Sequence, residues 1–229
     1  MTRIVPKLSA SLLIVDTGGS EPRFLFGRRH ARHVFMPNRY VFPGGRVDAD
    51  DARVTAPIAM NGFDRSVVAL ALNRRNALRG AEAIALCAIR EAWEEAGHMY
   101  GQPHAFEAKQ SQWQEFVNNR LAPDPSSLRL LARAITPAAL PRRYDAWFFI
   151  AFRHAIALSV DVCGPDSELD HQIWASEEET IAFDLPSITR MVLREAVQRL
   201  QADPDLKNNE PVPMFAARGG RTSRKLITR

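Results

Sequence analysis

Three glutamates spaced to fall within one helical turn, Glu91, Glu94 and Glu95, are the residues whose types and spacing best suit chemistry. They sit in Arg90-Glu91-Ala92-Trp93-Glu94-Glu95-Ala96-Gly97. This is the second half of an apolar-periodic segment that starts near Gly80 and should stop at Gly97, since glycine past the last periodic residue ends helices. At helical spacing Ala85, Leu86, Ile89, Ala92, Trp93 and Ala96 share one arc that should face a core. The three glutamates fan across the opposite arc, which the pattern leaves exposed. An inward Trp93 predicts that Trp93→Ala costs about 3–5 kcal/mol. The fan itself is unfavourable: each like-charged i, i+3 or i, i+4 pair costs a few tenths of a kcal/mol, and Arg90 offsets only part through its reach to Glu94. Converging carboxylates suit a hard divalent cation with oxygen ligands. The plain alternative is a solvated acidic face.

A second cluster lies upstream in Tyr40-Val41-Phe42-Pro43-Gly44-Gly45. Glycines allow a backbone to approach a ligand closely. Arg28, Arg29, His30, Arg32 and His33 crowd the preceding loop. Guanidinium groups match phosphate oxygens in a bidentate way, so clustered arginines beside a cation site suit a polyphosphate, with Arg28 and Arg32 the expected contacts. A solvated loop is the other reading.

Arg90 to Gly97, Glu82 eight residues before Arg90, and the Gly44-Gly45 pair together resemble the Nudix box, G-x5-E-x7-R-E-U-x-E-E-x-G-U with U apolar. The order is right and the spacing is not. Residues 46–81 intervene between the glycines and Glu82, and the closing apolar position holds His98. The chain therefore looks like a box split by an insertion, which a surface loop tolerates because closure entropy grows only logarithmically with length. Asp51 stands at the usual distance from Gly45 and competes with Glu82 for the first acidic position.

The resemblance implies an enzyme that splits the pyrophosphate bond of a nucleoside diphosphate linked to another group, using Mg²⁺ or Mn²⁺. By that resemblance Glu91, Glu94, Glu95 and the carbonyl of Gly44 would hold the ion. Arg90 would position the carboxylates, and Glu91 or a loop acid such as Glu168, Glu177 or Glu178 would take the proton. The Phe35-Met36-Pro37 lead-in, the split box and the Arg143-Tyr144-Asp145 to Phe148-Phe149 strand are similar to the coenzyme A diphosphatase-like branch. That similarity adds Phe42 and Arg143 to Arg28 and Arg32 as substrate-binding residues, with Arg29 or Arg142 as further cations for a 3′-phosphate. ADP-ribose and dinucleotides of the NADH type stay open as substrates. So does a non-catalytic nucleotide sensor, although sensors of this fold typically lose the box carboxylates that this chain keeps.

Composition is that of a globular protein: 46% hydrophobic and 24% charged residues in 229. Only Cys87 and Cys163 occur, so no disulfide framework is expected and a reducing cytoplasm is the default. The apolar run before Asp16 is too short for a membrane span. Arg218, Arg221, Arg224, Lys225 and Arg229 follow Pro213 with no acid among them, and removing these five from the net +4 leaves about −1 for the body. The basicity belongs to a tail, which disfavours nucleic acid as a partner. No membrane partner is expected, and a homodimer stays open.

The elements that must position the site follow from periodicity. Lys7 to Val15 and Arg23 to Arg28 read as a hairpin, Leu128 to Ile135 as a strand or short amphipathic segment, Trp147 to Phe152 as a buried strand, and Leu169 to Trp174 as another. Helices are expected from a cap near Asp64 through Ala77, over Ala105 to Leu121, from Ser176 to Ile181 with a Glu179 capping box, and from Ser187 to Gln201. This pattern predicts an α/β fold. The resemblance specifies a Nudix-type α/β/α sandwich with a helical insertion and an added C-terminal helix. One domain spans residues 1–202, with the 46–81 insertion inside it. Residues 203–229, rich in Pro, Asn and Gly, should form an extended basic tail.

Overall fold

The computed structural model describes residues 4–32, 37–162, 167–218 and 221–227. His33, Phe35, Met36, Cys163, Asp166 and Arg229 lie outside the described residues, as do the side chains of Arg218 and Arg221. The first half comprises strands β1 (Lys7–Asp16), β2 (Arg23–Arg29), β3 (Tyr40–Val41) and β4 (Gly44–Arg46), then helices α1 (Gly62–Leu72) and α2 (Ala77–Ala96). Short elements follow: β5 (His98–Met99), β6 (Gly101–Pro103), α3 (Gln114–Asn118) and β7 (Leu121–Pro123). The second half holds β8 (Arg129–Ile135), β9 (Tyr144–Phe152), β10 (Leu158–Ser159), β11 (Leu169–Ala175), α4 (Ser187–Ala202), β12 (Val212–Arg218) and β13 (Arg221–Ile227).

The main sheet runs β11-β2-β1-β9-β8-β12-β13, with β3 on β2 and β4 on β1. At its centre β1 and β9 pair in parallel from Lys7 opposite Tyr144 to Val15 opposite Phe152. Strand alternation sends successive side chains to opposite faces. Leu12, Ile14, Trp147 and Phe149 therefore join α1 and α2 in one core, and Leu13, Val15, Phe148 and Ile150 join α4 in the other. Both faces of the sheet are covered, giving the expected α/β/α sandwich. Among the described residues no helix is long and apolar enough to cross a membrane.

Several elements differ from the sequence reading. The segment expected as a tail adds two strands to the sheet: β12 pairs in parallel with β8, and β13 returns antiparallel beside it. Its basic residues mask an apolar alternation, since Val212 and Phe215 are buried in opposite cores and Arg224 pairs with Glu195 of α4 at 2.6 and 3.0 Å. The helix expected over Ala105 to Leu121 shrinks to α3 after a 3₁₀ turn. Gln114 bonds the carbonyls of Ala108 (2.6 Å) and Gln110 (3.3 Å), satisfying them without a helical ladder, and Trp113 and Phe116 are buried as the pattern requires. The Ser176 segment keeps its reciprocal capping bonds with Glu179 but forms a 3₁₀ turn over Glu179–Ala182.

The insertion helix α1 is capped by Asn61, whose Oδ1 accepts from the N–H groups of Phe63 and Asp64. Asp64, the expected cap, instead turns inward at 1% exposure and accepts from Arg129 Nε and the Leu130 N–H, each at 2.9 Å. Arg129 also bonds the carbonyls of Leu206 and Asn208, so one guanidinium ties the insertion to the segment leading into β12.

The expected exposed face of α2 is the largest departure. The helix packs between the sheet and α1, so Glu91 and Glu95 are buried, while Trp93 is only half-buried at the edge of its core. Ile89, on the same expected arc, is fully enclosed. Ile89→Ala should cost about 2–5 kcal/mol by cavity formation, and Trp93→Ala less than that. Denaturant unfolding of the two variants checks the order.

Candidate active site

The site begins where β4 crosses the end of α2. β4 pairs antiparallel with Ser9 to Ser11 of β1, which holds its two glycines against the helix. The N–H of Gly44 donates to Glu95 Oε2 at 2.7 Å. A Cβ on Gly45 would lie 2.4–2.6 Å from the Glu91 carboxylate, so only glycine permits this approach. The helix ends at Gly97 in the left-handed region (φ 69°), with its N–H bonded to the Trp93 carbonyl at 2.9 Å.

Arg90 is the hub. Its Nε and Nη2 donate to the two oxygens of Asp51 at 2.9 and 3.1 Å, and Nη1 donates to Glu91 Oε1 at 2.8 Å and Glu94 Oε2 at 2.6 Å. Nη2 also reaches the Arg46 carbonyl at 3.2 Å. Asp51 is fully buried, whereas Glu82 turns away to pair with Arg65 at 2.9 Å. Of the two acids weighed for the first box position, the fold places Asp51 on Arg90.

Burial dominates the titration of the three glutamates, because it disfavours the charged form. Glu91 is pushed up to about 7 by burial, against the pull of Arg90. Burial also raises Glu94, opposed by Arg90. Glu95 stands well above the usual carboxylate range through burial and the negative fields of Glu91 and Glu168. Its Oε1 is buried with no hydrogen-bond partner. Among the described residues no three His, Cys, Asp or Glu side chains converge on a single point, because Arg90 lies between Asp51, Glu91 and Glu94. The convergence expected from the sequence is thus not preformed. The donor set nevertheless fits a hard cation: buried carboxylate oxygens, one of them on Glu95 without a hydrogen-bond partner.

Of the three glutamates Glu91 borders a cleft of about 660 Å³ on the α4 face of the sheet, at one end with Gly44, Gly45, Arg29, Arg46 and Glu168. Phe42 lines it, as expected of a substrate contact. The expected cations do not. Arg28 pairs with Asp170 at 2.9 Å and Arg32 packs against His30 Nδ1, both away from the cleft. Arg143 is buried and spends its donors on the carbonyls of Ile4 and Thr136. Arg29 and Arg142 take their places in the lining, and Arg29 meets Glu168 at 2.8 Å. Adjacent strand residues point to opposite faces, which is why Arg29 and not Arg28 enters the cleft.

No protein-family model matches the sequence, and no curated protein matches it. The crystal structure of a NUDIX hydrolase from Alicyclobacillus acidocaldarius superposes on 86% of this chain and 93% of its own, with TM-score 0.63 at 21% identity. The chain has the Nudix fold. Two further similar structures are a MutT protein from Methanosarcina mazei Go1 and the NUDIX domain of Shewanella oneidensis NrtR complexed with ADP ribose. The first has TM-score 0.49 and 16% identity over 90% of this chain and 99% of that one. The second has TM-score 0.48 and 10% identity over 86% and 90%.

Two measurements test the site's electrostatics. Asp51→Ala should destabilise by about 3–5 kcal/mol, because it breaks a buried pair. Glu82→Ala should cost about 1 kcal/mol or less, since its ion pair with Arg65 is partly exposed. Reversed magnitudes in unfolding experiments would return Glu82 to the site. Glu91 in the folded chain binds its proton more tightly than in the unfolded chain, so its contribution is favourable below the unfolded value near 4.3 and is lost as pH rises to about 7. In the presence of a chelator, Glu91→Gln should remove on the order of 3 kcal/mol of that pH-dependent loss and be the more stable protein at pH 8. Melting curves from pH 4.5 to 8 read this directly.

Proposed function

We propose that this chain is a metal-dependent Nudix hydrolase that cleaves the pyrophosphate bond of a nucleoside diphosphate linked to another group. The observation that supports the reading is geometric: Arg90 holds Glu91 and Glu94 beside Gly44 and Gly45 at one end of the cleft, and a buried Glu95 oxygen there has no hydrogen-bond partner. Glu91, Glu94, Glu95 and the Gly44 carbonyl would hold Mg²⁺ or Mn²⁺. Such an ion, when bound, neutralises charge on the bridged phosphates and acidifies a water.

The chain's own residues do the rest. Arg90, clamped by Asp51, fixes Glu91 and Glu94 and offsets the cost of negative charge on the buried Glu91. Arg29 and Arg46 at the same end of the cleft suit the phosphate oxygens, and Phe42 forms part of the wall. Water attacks one phosphorus, the bridging oxygen leaves with the other phosphate, and a carboxylate accepts the water's proton. Glu91 and Glu168, the acids in the cleft lining, would be the candidates for that acceptance. A group whose pKa lies near 7 is matched to such a task at neutral pH.

Coenzyme A or acyl-coenzyme A is the substrate this reading favours, with Arg46 at the β4 end of the cleft available to a further phosphate. ADP-ribose and NADH-type dinucleotides are the competing substrates, and a non-catalytic sensor would bind them without turnover. Coenzyme A, ADP-ribose, NADH and diadenosine polyphosphates should be incubated with the protein and Mg²⁺ and the products identified. Adenosine 3′,5′-bisphosphate with phosphopantetheine is the expected pair from coenzyme A. Glu94→Gln should lower kcat by roughly 100-fold or more with its melting temperature preserved, because its side chain is 38% exposed. Binding without hydrolysis of any of these compounds would favour the sensor.

A further inference from the structure

The cleft is much longer than its carboxylate end. From β4 it crosses β1, β9 and β8 to β12, four interstrand steps of about 4.8 Å, or about 19 Å in all. Its acidic side chains, Glu91 and Glu168, both belong to the β4 end. Beyond β1 the lining is mostly apolar, with Ile135, Ala146 and Phe148 from the sheet, Met191 from α4, and Phe215 and Ala216 from β12, among which stand the hydroxyl groups of Thr136, Tyr144, Ser187, Thr189 and Thr222. Arg142, exposed, is the charged residue of this stretch. The C-terminal hairpin lines this far end with Phe215, Ala216 and Thr222, and the Arg224–Glu195 pair holds the hairpin against α4.

The geometry points to a channel for an extended, uncharged and largely apolar chain carried by the non-nucleotide half of the substrate, with the C-terminal hairpin as its end stop. This rests on the pyrophosphatase reading above, which anchors the diphosphate at the β4 end. A second charged nucleotide half would find Arg142 as the one cation of a mostly apolar stretch, and one nucleoside would leave much of the length unfilled. An apolar chain gains from burial along the whole wall. The hairpin thus acts as a specificity element made from the segment whose composition reads as a loose tail.

The test uses straight-chain alkyl esters of ADP (methyl, butyl and octyl) with Mg²⁺ and the full chain. The expected result is a kcat/KM that rises roughly 10-fold or more from methyl to octyl, mainly through KM. Thr222→Trp and Ala216→Leu, which crowd the far end from the hairpin, should each lower the octyl-to-methyl ratio several-fold. Hydrolysis of all three esters at equal kcat/KM would overturn the channel while leaving the pyrophosphatase reading intact. So would a rate that follows the base, tested with the UDP esters, and not the chain. Failure to hydrolyse any ester, coenzyme A or ADP-ribose would overturn both.

Discussion

One guanidinium makes the rest of this structure possible. Arg90, 5% exposed, bonds Asp51, Glu91 and Glu94 at once and reaches the backbone of β4. A buried carboxylate without a partner is costly, and three near one another are costlier still. By placing a permanent positive charge among them, Arg90 lets α2 pack its acidic face against the sheet. The absence of a Cβ at Gly45 then lets the backbone of β4 lie against the Glu91 carboxylate, and its absence at Gly44 lets β4 lie close on Ala10 and Ser11 of β1. The helix, the glycine strand and the insertion that delivers Asp51 form a single electrostatic unit.

That unit remains short of positive charge. Glu91 and Glu95 keep protons well above the usual carboxylate range, and a buried oxygen of Glu95 has no partner. Under the proposed reading a divalent cation would displace those protons, so its affinity would depend on pH. The burial that weakens the fold as pH rises would then be the same feature that favours a cation.

The outer parts of the chain serve the site indirectly. Arg129 fastens the insertion helix, through Asp64, to the segment entering the C-terminal hairpin. The hairpin extends the sheet by two strands and supplies the far wall of the cleft. The 46–81 insertion and the C-terminal extension, at opposite ends of the domain's sequence, therefore meet at one arginine.

Local chemistry was legible in the residues themselves. The Arg90–Gly97 helix, its stop at Gly97, the alternating strands and the α/β class all follow from periodicities that depend only on backbone geometry. What depends on packing was not. Strand alternation together with the pairing of β2 sent Arg29 into the cleft and Arg28 outside it, and five basic residues hid the apolar alternation of the C-terminal strands. The burial of Glu91 and Glu95 required β4 to lie across the end of α2 with its glycines against the two carboxylates. The choice of Asp51 over Glu82 was likewise tertiary. Both acids stand at plausible distances along the chain, and only the path of the insertion decides which carboxylate can reach a guanidinium 39 residues away.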